Sequence, residues 1–227
     1  MEMKVFLKAV KEHFSNQQIF LFFVSEHLLT FIMLSNRQKQ IIEESINIIH
    51  IHGIQGFTIK NLSEALGLSE AAIYRHFKSK TEIICTLLDS FIEILTDFIQ
   101  LIKENEFSPL EKIKTIFEKL SLIFSNKPAY VSVIFAEEIF KNDKLLSVKV
   151  NKILKKNNET FNSIIKDGQN NNEITKSVSN QELTLMTMGA FRLMVKNWKM
   201  NNFSFDLKKS SEKLYYSIET LIKTKDN

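Results

Sequence analysis

Turn-forming residues are so scarce in this chain that a β-rich fold has almost nowhere to bend: five glycines and two prolines serve 227 residues. Hairpins and sandwiches need Gly, Pro and Asn-Gly signals every ten residues or so. The breakers that exist stand far apart, and apolar residues recur between them at helical spacing. An all-α chain is therefore expected, with no convincing strand. A content of 44% hydrophobic and 25% charged residues is ordinary for a globular protein, and the length is enough to bury a real core. The single cysteine excludes an intramolecular disulfide and fits a reducing, cytoplasmic setting. The net charge of only +4 does not by itself argue for nucleic acid.

The punctuation places the helices. Ser35 opens a capping box with Gln38, and Ile41, Ile42, Ile46 and Ile49 follow until Gly53. After GIQGFT, Thr58 can cap a short helix with Ile59, Leu62, Ala65 and Leu66 on one side, and Gly67 ends it. Ser69 can cap a third helix, from Glu70 to about Phe77. A long helix from Thr81 to about Lys103 carries Ile83, Leu87, Phe91, Leu95, Phe98 and Ile102 in one stripe, widened by Ile84, Leu88, Ile92 and Ile99. Ser108-Pro109 opens another helix, with Leu110, Ile113, Phe117, Leu120 and Phe124 inward, and Pro128 a further one. From about Asp143 to Lys166 a helix presents Leu146, Val150, Leu154, Phe161 and Ile165, and Gly168 is expected to end it. Two more helices are expected near 181–200 and 206–225, the second with Leu207, Leu214, Ile218 and Leu221 along one face.

Three short helices in fewer than about fifty residues, with the second and third joined by Gly67-Leu68-Ser69, have the spacing of a helix-turn-helix. Gly67 can adopt the left-handed conformation that leaves one helix, Leu68 can plug the angle, and Ser69 can cap the next. The full string FTIKNLSEALGLSEAAIYRHFKSK, Phe57 to Lys80, resembles the TetR/AcrR family of bacterial transcriptional regulators. Thr58, Leu62, Ala65, Gly67, Ser69, Tyr74, His76, Phe77 and Lys80 fall in register with that family's pattern, and Leu68 replaces the commoner valine. Beyond Lys80 the likeness lies only in the helical layout.

The resemblance implies an N-terminal three-helix DNA-binding domain over residues 35–80 and a larger helical effector-binding and dimerisation domain over 81–227. Its recognition helix would be Glu70 to Phe77, with Ile73 and Phe77 facing the core. Tyr74 and His76 would then meet phosphates or sugars, Thr58 would offer its hydroxyl and helix N-terminus to phosphate, and Lys80 would anchor the backbone further along. Arg75 suits guanine O6 and N7, while Glu70 and Ala71 suit cytosine N4 and the thymine methyl; Glu70 departs from the basic or amide residue frequent in the family, and its other readings are a cap on its own helix or a residue that excludes wrong sequences. The competing reading of Tyr74 and His76 makes them packing residues of a helical hairpin.

The expected function is that of a ligand-responsive repressor, a homodimer on palindromic double-stranded DNA. An activator of the same fold, or a protein-interaction or membrane-associated helical module, is the alternative. Leu183, Met186, Met194, Leu214, Ile218 and Leu221 suit a four-helix dimer bundle, against a reading in which they pack within the subunit. Phe117, Phe124, Phe135, Phe140, Phe161, Met186, Met188, Phe191 and Met194 suit either an apolar effector cavity or plain core. The effector would act through the long helix beginning near Thr81. Trp198 suits an interface anchor or a half-buried core position. Cys85 suits a redox reporter less well than an inert core thiol. His50 and His52 lack partners at metal-ligand spacing, so neither metal nor cofactor is expected. No Ser/His/Asp arrangement, phosphate loop or paired carboxylate argues for an enzyme.

Residues 1–34 precede the first cap, and two readings stand: translation from Met33, which is favoured, or an amphipathic helix that docks on the body or on a membrane surface. Ile19–Leu34 is the most apolar stretch, but it falls short of a bilayer span and contains Glu26 and His27, so no stable membrane insertion is expected.

Overall fold

The computed structural model describes residues 34–104, 106–136, 140 and 143–224. The two readings of the N-terminal segment, Leu34 apart, lie outside the described residues. Among the described residues the helices are α1 (Asn36–Gly56), α2 (Ile59–Leu66), α3 (Glu70–Tyr74), α4 (Lys80–Glu104), α5 (Pro109–Asn126), α6 (Pro128–Ile134), α7 (Lys144–Asn170), α8 (Asn180–Met200) and α9 (Leu207–Ile222). The fold is all-α, and its extended pairing among these residues is an isolated antiparallel bridge between Ile174 and Lys223.

Local chemistry sets most boundaries. Ser35, Ser108 and Ser179 each form a complete capping box with Gln38, Glu111 and Glu182. Thr58 and Ser69 accept from the backbone N–H groups of Asn61 and Ala72, and Asp143 and Asp206 cap α7 and α9. Within α1 the helix kinks at Gly53, whose φ of 70° and ψ of 176° are non-helical.

One continuous core runs through the molecule. The expected stripe of α4 is buried from Ile83 to Ile102, between α7 on one side and α6 on another. The predicted inward set of α5 is buried in full. Thr81 at the start of α4 donates its hydroxyl to the Asp143 carboxylate at 2.8 Å, and Lys149 pairs with Asp89, so α4 and α7 are tied at two points. α6 lies mainly against α1, which joins the small N-terminal unit to the larger helical body.

Several expectations need correction. α7 does not end at Gly168 but continues to Asn170. Gly168 is buried within the helix because the chain folds back over it: a Cβ there would sit 2.6 Å from Ile174 Cδ1 and 3.0 Å from Pro109 Cβ. On α2, Ala65 is exposed, and the buried positions are Ile59, Leu62 and Ser63. On α9, Leu221 points outward at 73% exposure, whereas Leu207, Ser211, Tyr215, Ile218 and Ile222 face inward. That choice is made by polar groups, since Ser211 Oγ donates to the Phe117 carbonyl and Tyr215 Oη to that of Leu110. Leu183 is likewise buried within its own subunit. Trp198 is buried too: its indole N–H donates to the Phe205 carbonyl at 2.8 Å and its ring meets Phe203 edge-on.

Candidate functional site

The turn between α2 and α3 is built by backbone geometry. Gly67 takes φ 63° and ψ 34°, a left-handed conformation that costs a side-chain-bearing residue about 1 kcal/mol or more. Its N–H donates to the Glu64 carbonyl, and that of Leu68 reaches Ser63 at 2.9 Å, so two carbonyls at the end of α2 are satisfied. Ser69 then caps α3 through the Ala72 N–H. Regular helix runs only from Glu70 to Tyr74, shorter than the expected span to Phe77. The next residues continue as a tightened turn, with His76 and Phe77 both donating to the Ile73 carbonyl.

This short element has two sides. Ala72, Ile73 and Phe77 are buried in the core, and the element packs against α2. Glu70, Ala71, Tyr74 and Arg75 are exposed, with Tyr74 at 48%. Residues four apart on a helix are neighbours, so Glu70 lies beside Tyr74 and Ala71 beside Arg75. Thr58 is exposed at the start of α2. His76 is half-buried. Lys80 is half-buried as well: its ammonium lies 5.4 Å from the centre of the Phe57 ring, and burial lowers its pKa.

One contact was not foreseen. Gln38, expected only to complete the cap of α1, also donates from Nε2 to the His76 carbonyl at 3.3 Å. It thereby ties the first turn of α1 to the end of the outward-facing element, a link across 38 residues that no local pattern announces.

A second feature lies in the helical body. A cavity of about 220 Å³ is walled by α4, α5, α7 and α8 and by Ile134 and Phe135 at the end of α6. Of the aromatic and methionine residues proposed for it, Phe124, Phe135, Phe161, Met188 and Phe191 line it. Phe117 and Phe140 are buried core and do not line it, and Met186 is exposed on the outer side of α8. The sequence reading missed Asn157, Asn158, Gly189 and Arg192, whose guanidinium stacks 4.4 Å over Phe135. Cys85 is half-buried on α4, and burial pushes its thiol up, which disfavours the thiolate.

The outer surface of α8 and α9 is apolar in a regular way. Met186, Leu193 and Met200 are exposed at seven-residue intervals on α8, and half-buried Leu214 and exposed Leu221 repeat that interval on α9. No helix among the described residues is long and apolar enough to cross a membrane.

An all-α body joined to a capped, left-handed turn and an outward short helix defines a helix-turn-helix protein. Comparison with known proteins supplies the family. Residues 41–85 match the profile of bacterial regulatory proteins, tetR family, and residues 87–221 that of the YsiA-like protein C-terminal region. The chain belongs to the tetR family of bacterial regulatory proteins. It is 30% identical over 120 residues to the nucleoid occlusion factor SlmA of Glaesserella parasuis, a match covering 52% of this chain and 59% of that protein. The chain thus spans little more than half the length of that relative. The fatty acid metabolism regulator protein of Bacillus subtilis is 25% identical over 177 residues, 75% of this chain and 88% of its own. Among solved structures, the ketosteroid transcriptional regulator KstR2 of Mycobacterium tuberculosis superposes with a TM-score of 0.72 at 14% identity, covering 85% of this chain and 98% of that one. The B. subtilis regulator FadR, solved in complex with stearoyl-CoA, gives 0.63 at 22% identity over 80% of this chain and 97% of its own.

Proposed function

We propose that this protein is a ligand-responsive transcriptional repressor that binds palindromic double-stranded DNA as a homodimer in the cytoplasm. The observation that carries the reading is the two-sided α3: Ile73 and Phe77 fix it from within while Glu70, Ala71, Tyr74 and Arg75 stand in solvent. A short helix held this way can enter a major groove. In this reading Arg75 pairs with guanine, Glu70 and Ala71 meet base edges, and Tyr74, His76, Thr58 and Lys80 hold the sugar-phosphate backbone. The Phe57 ring beneath Lys80 would steady its stem for that contact. DNA-binding unit and body would be residues 35–80 and 81–227.

The seven-residue apolar stripes on α8 and α9 support a dimer, because that interval builds four-helix seams with a partner's equivalent pair. Two-fold symmetry would then present two α3 helices to two half-sites. The cavity supports an effector. Its walls include Phe91 on α4, which leads into the DNA-binding unit, and Ile134 at the end of α6, which packs on α1. A ligand preferring one arrangement of those helices would shift the spacing of the recognition helices. The names of the B. subtilis regulator and of KstR2 make an apolar or amphipathic small molecule the natural class.

Selection of bound duplexes from a random pool, followed by titration at several salt concentrations, tests this. A palindromic consensus whose affinity falls steeply with salt is expected. Absence of any enriched duplex would defeat it.

A further inference from the structure

The exposure of the residues around the cavity gives it a floor and a mouth. Phe91, Phe124, Ile153 and Phe161 are buried, whereas Asn158 on α7 and Leu185 and Gly189 on α8 are exposed. The opening therefore lies between α7 and α8. Gly189 is a poor helix former in mid-helix, and a Cβ placed on it would meet nothing within 4 Å, so no packing inside the subunit demands glycine there. Gly189 lies within a turn of Met186 and Leu193, so the space its missing side chain leaves adjoins both the mouth and the outer apolar stripe of α8. The polar side chains of the lining are few, Asn157, Asn158 and Arg192, and the asparagines stand on the mouth side.

Size follows from volume. A dry cavity of about 150 Å³ takes one benzene ring. By that scale 220 Å³ takes an apolar body of roughly nine non-hydrogen atoms. We propose that the cavity selects a medium-length amphiphile, whose apolar body of about nine heavy atoms passes Gly189 and whose polar head stays at Asn157 and Asn158. This rests on the effector reading above and adds to it a length limit, a portal and a head position.

Calorimetric titration of the full-length protein with two homologous series, n-alkanoates and n-alkanols from about four to sixteen carbons, tests it. Each methylene that enters the cavity should raise affinity about fourfold, and the gain should stop once the body reaches roughly nine atoms, at the same length in both series. Gly189→Leu should weaken binding ~10-fold or more by closing the portal, with the oligomeric state by light scattering the same as that of the parent. Exposed Asn158, changed to alanine, should lower affinity a few-fold and leave the length limit unmoved. A gain that continues to the longest chain, limits that differ between the series, binding by no member, or full affinity in either variant would overturn the proposal. Because the length series needs no substitution, it stands even if Gly189→Leu fails to fold. Operator binding is measured on the same preparation. Should a duplex bind but no amphiphile, the cavity inference alone falls; should the series behave as stated but leave duplex affinity unchanged, the effector reading falls and the cavity assignment survives.

Discussion

Replacing Gly168 by alanine sets two effects of opposite sign against each other. Alanine inside a helix is favoured over glycine by about 1 kcal/mol, and Gly168 lies inside α7. Its new Cβ, however, would stand 2.6 Å from Ile174 Cδ1 and 2.7 Å from Cγ1. Ile174 cannot swing aside: it is fully buried, and its own N–H and that of Glu173 are bound to the Gly168 carbonyl at 2.9 Å. Pro109 closes the other side at 3.0 Å. Overpacking of this kind costs about 1–3 kcal/mol, so a net loss of about 1 kcal/mol is expected. The diagnostic comparison is a double-mutant cycle followed by urea unfolding and far-UV circular dichroism. Ile174→Ala alone should cost about 2–5 kcal/mol. In that background Gly168→Ala should become stabilising, by up to about 1 kcal/mol, since both Ile174 atoms are gone and only the Pro109 contact at 3.0 Å remains. A glycine that merely ended the helix would cost the same in both backgrounds, and equal costs, or stabilisation in the parent, would refute the packing argument.

Thr187 is buried with its hydroxyl unpartnered, so Thr187→Val should raise the urea midpoint, worth ~1 kcal/mol; a lowered midpoint would contradict this. Burial pushes the Tyr130 phenol from 10.0 up to about 12. The folded state holds that proton more tightly than the unfolded one, so stability should be full below pH 10 and decline as pH rises toward 12, less steeply in Tyr130→Phe. Leu193→Glu, in the middle of the α8 stripe, should leave a helical monomer by light scattering and weaken duplex binding; a stable dimer would move the interface elsewhere.

The short-range signals in this chain were legible because their chemistry is local. Ser35, Thr58, Ser69 and Ser108 cap helices within three residues, and Gly67 turns the chain at the one place a helix-turn-helix requires. Where a residue's role depends on distant neighbours, the same letters misled. Gly168 reads as a terminator until Ile174 folds back over it. On α9, apolar spacing offers two stripes, and it is Ser211 and Tyr215, discounted by any hydrophobic pattern, that decide which turns inward. Phe124, Phe135 and Phe161 announced apolar interior but not whether it is filled, since a void is a property of how helices meet. For the same reason Asn157, Asn158 and Gly189 carried no signal, and neither did the bond from Gln38 to His76.

DNA recognition is proposed to rest on the outward side of α3. Fluorescence anisotropy of a selected operator duplex, measured for the parent, Arg75→Ala, Tyr74→Phe and Lys80→Ala, tests it most directly. Arg75→Ala should lose ~1–3 kcal/mol and relax preference at one base pair, whereas the other two should weaken binding to all duplexes alike. Four proteins of indistinguishable affinity and sequence preference would contradict the account.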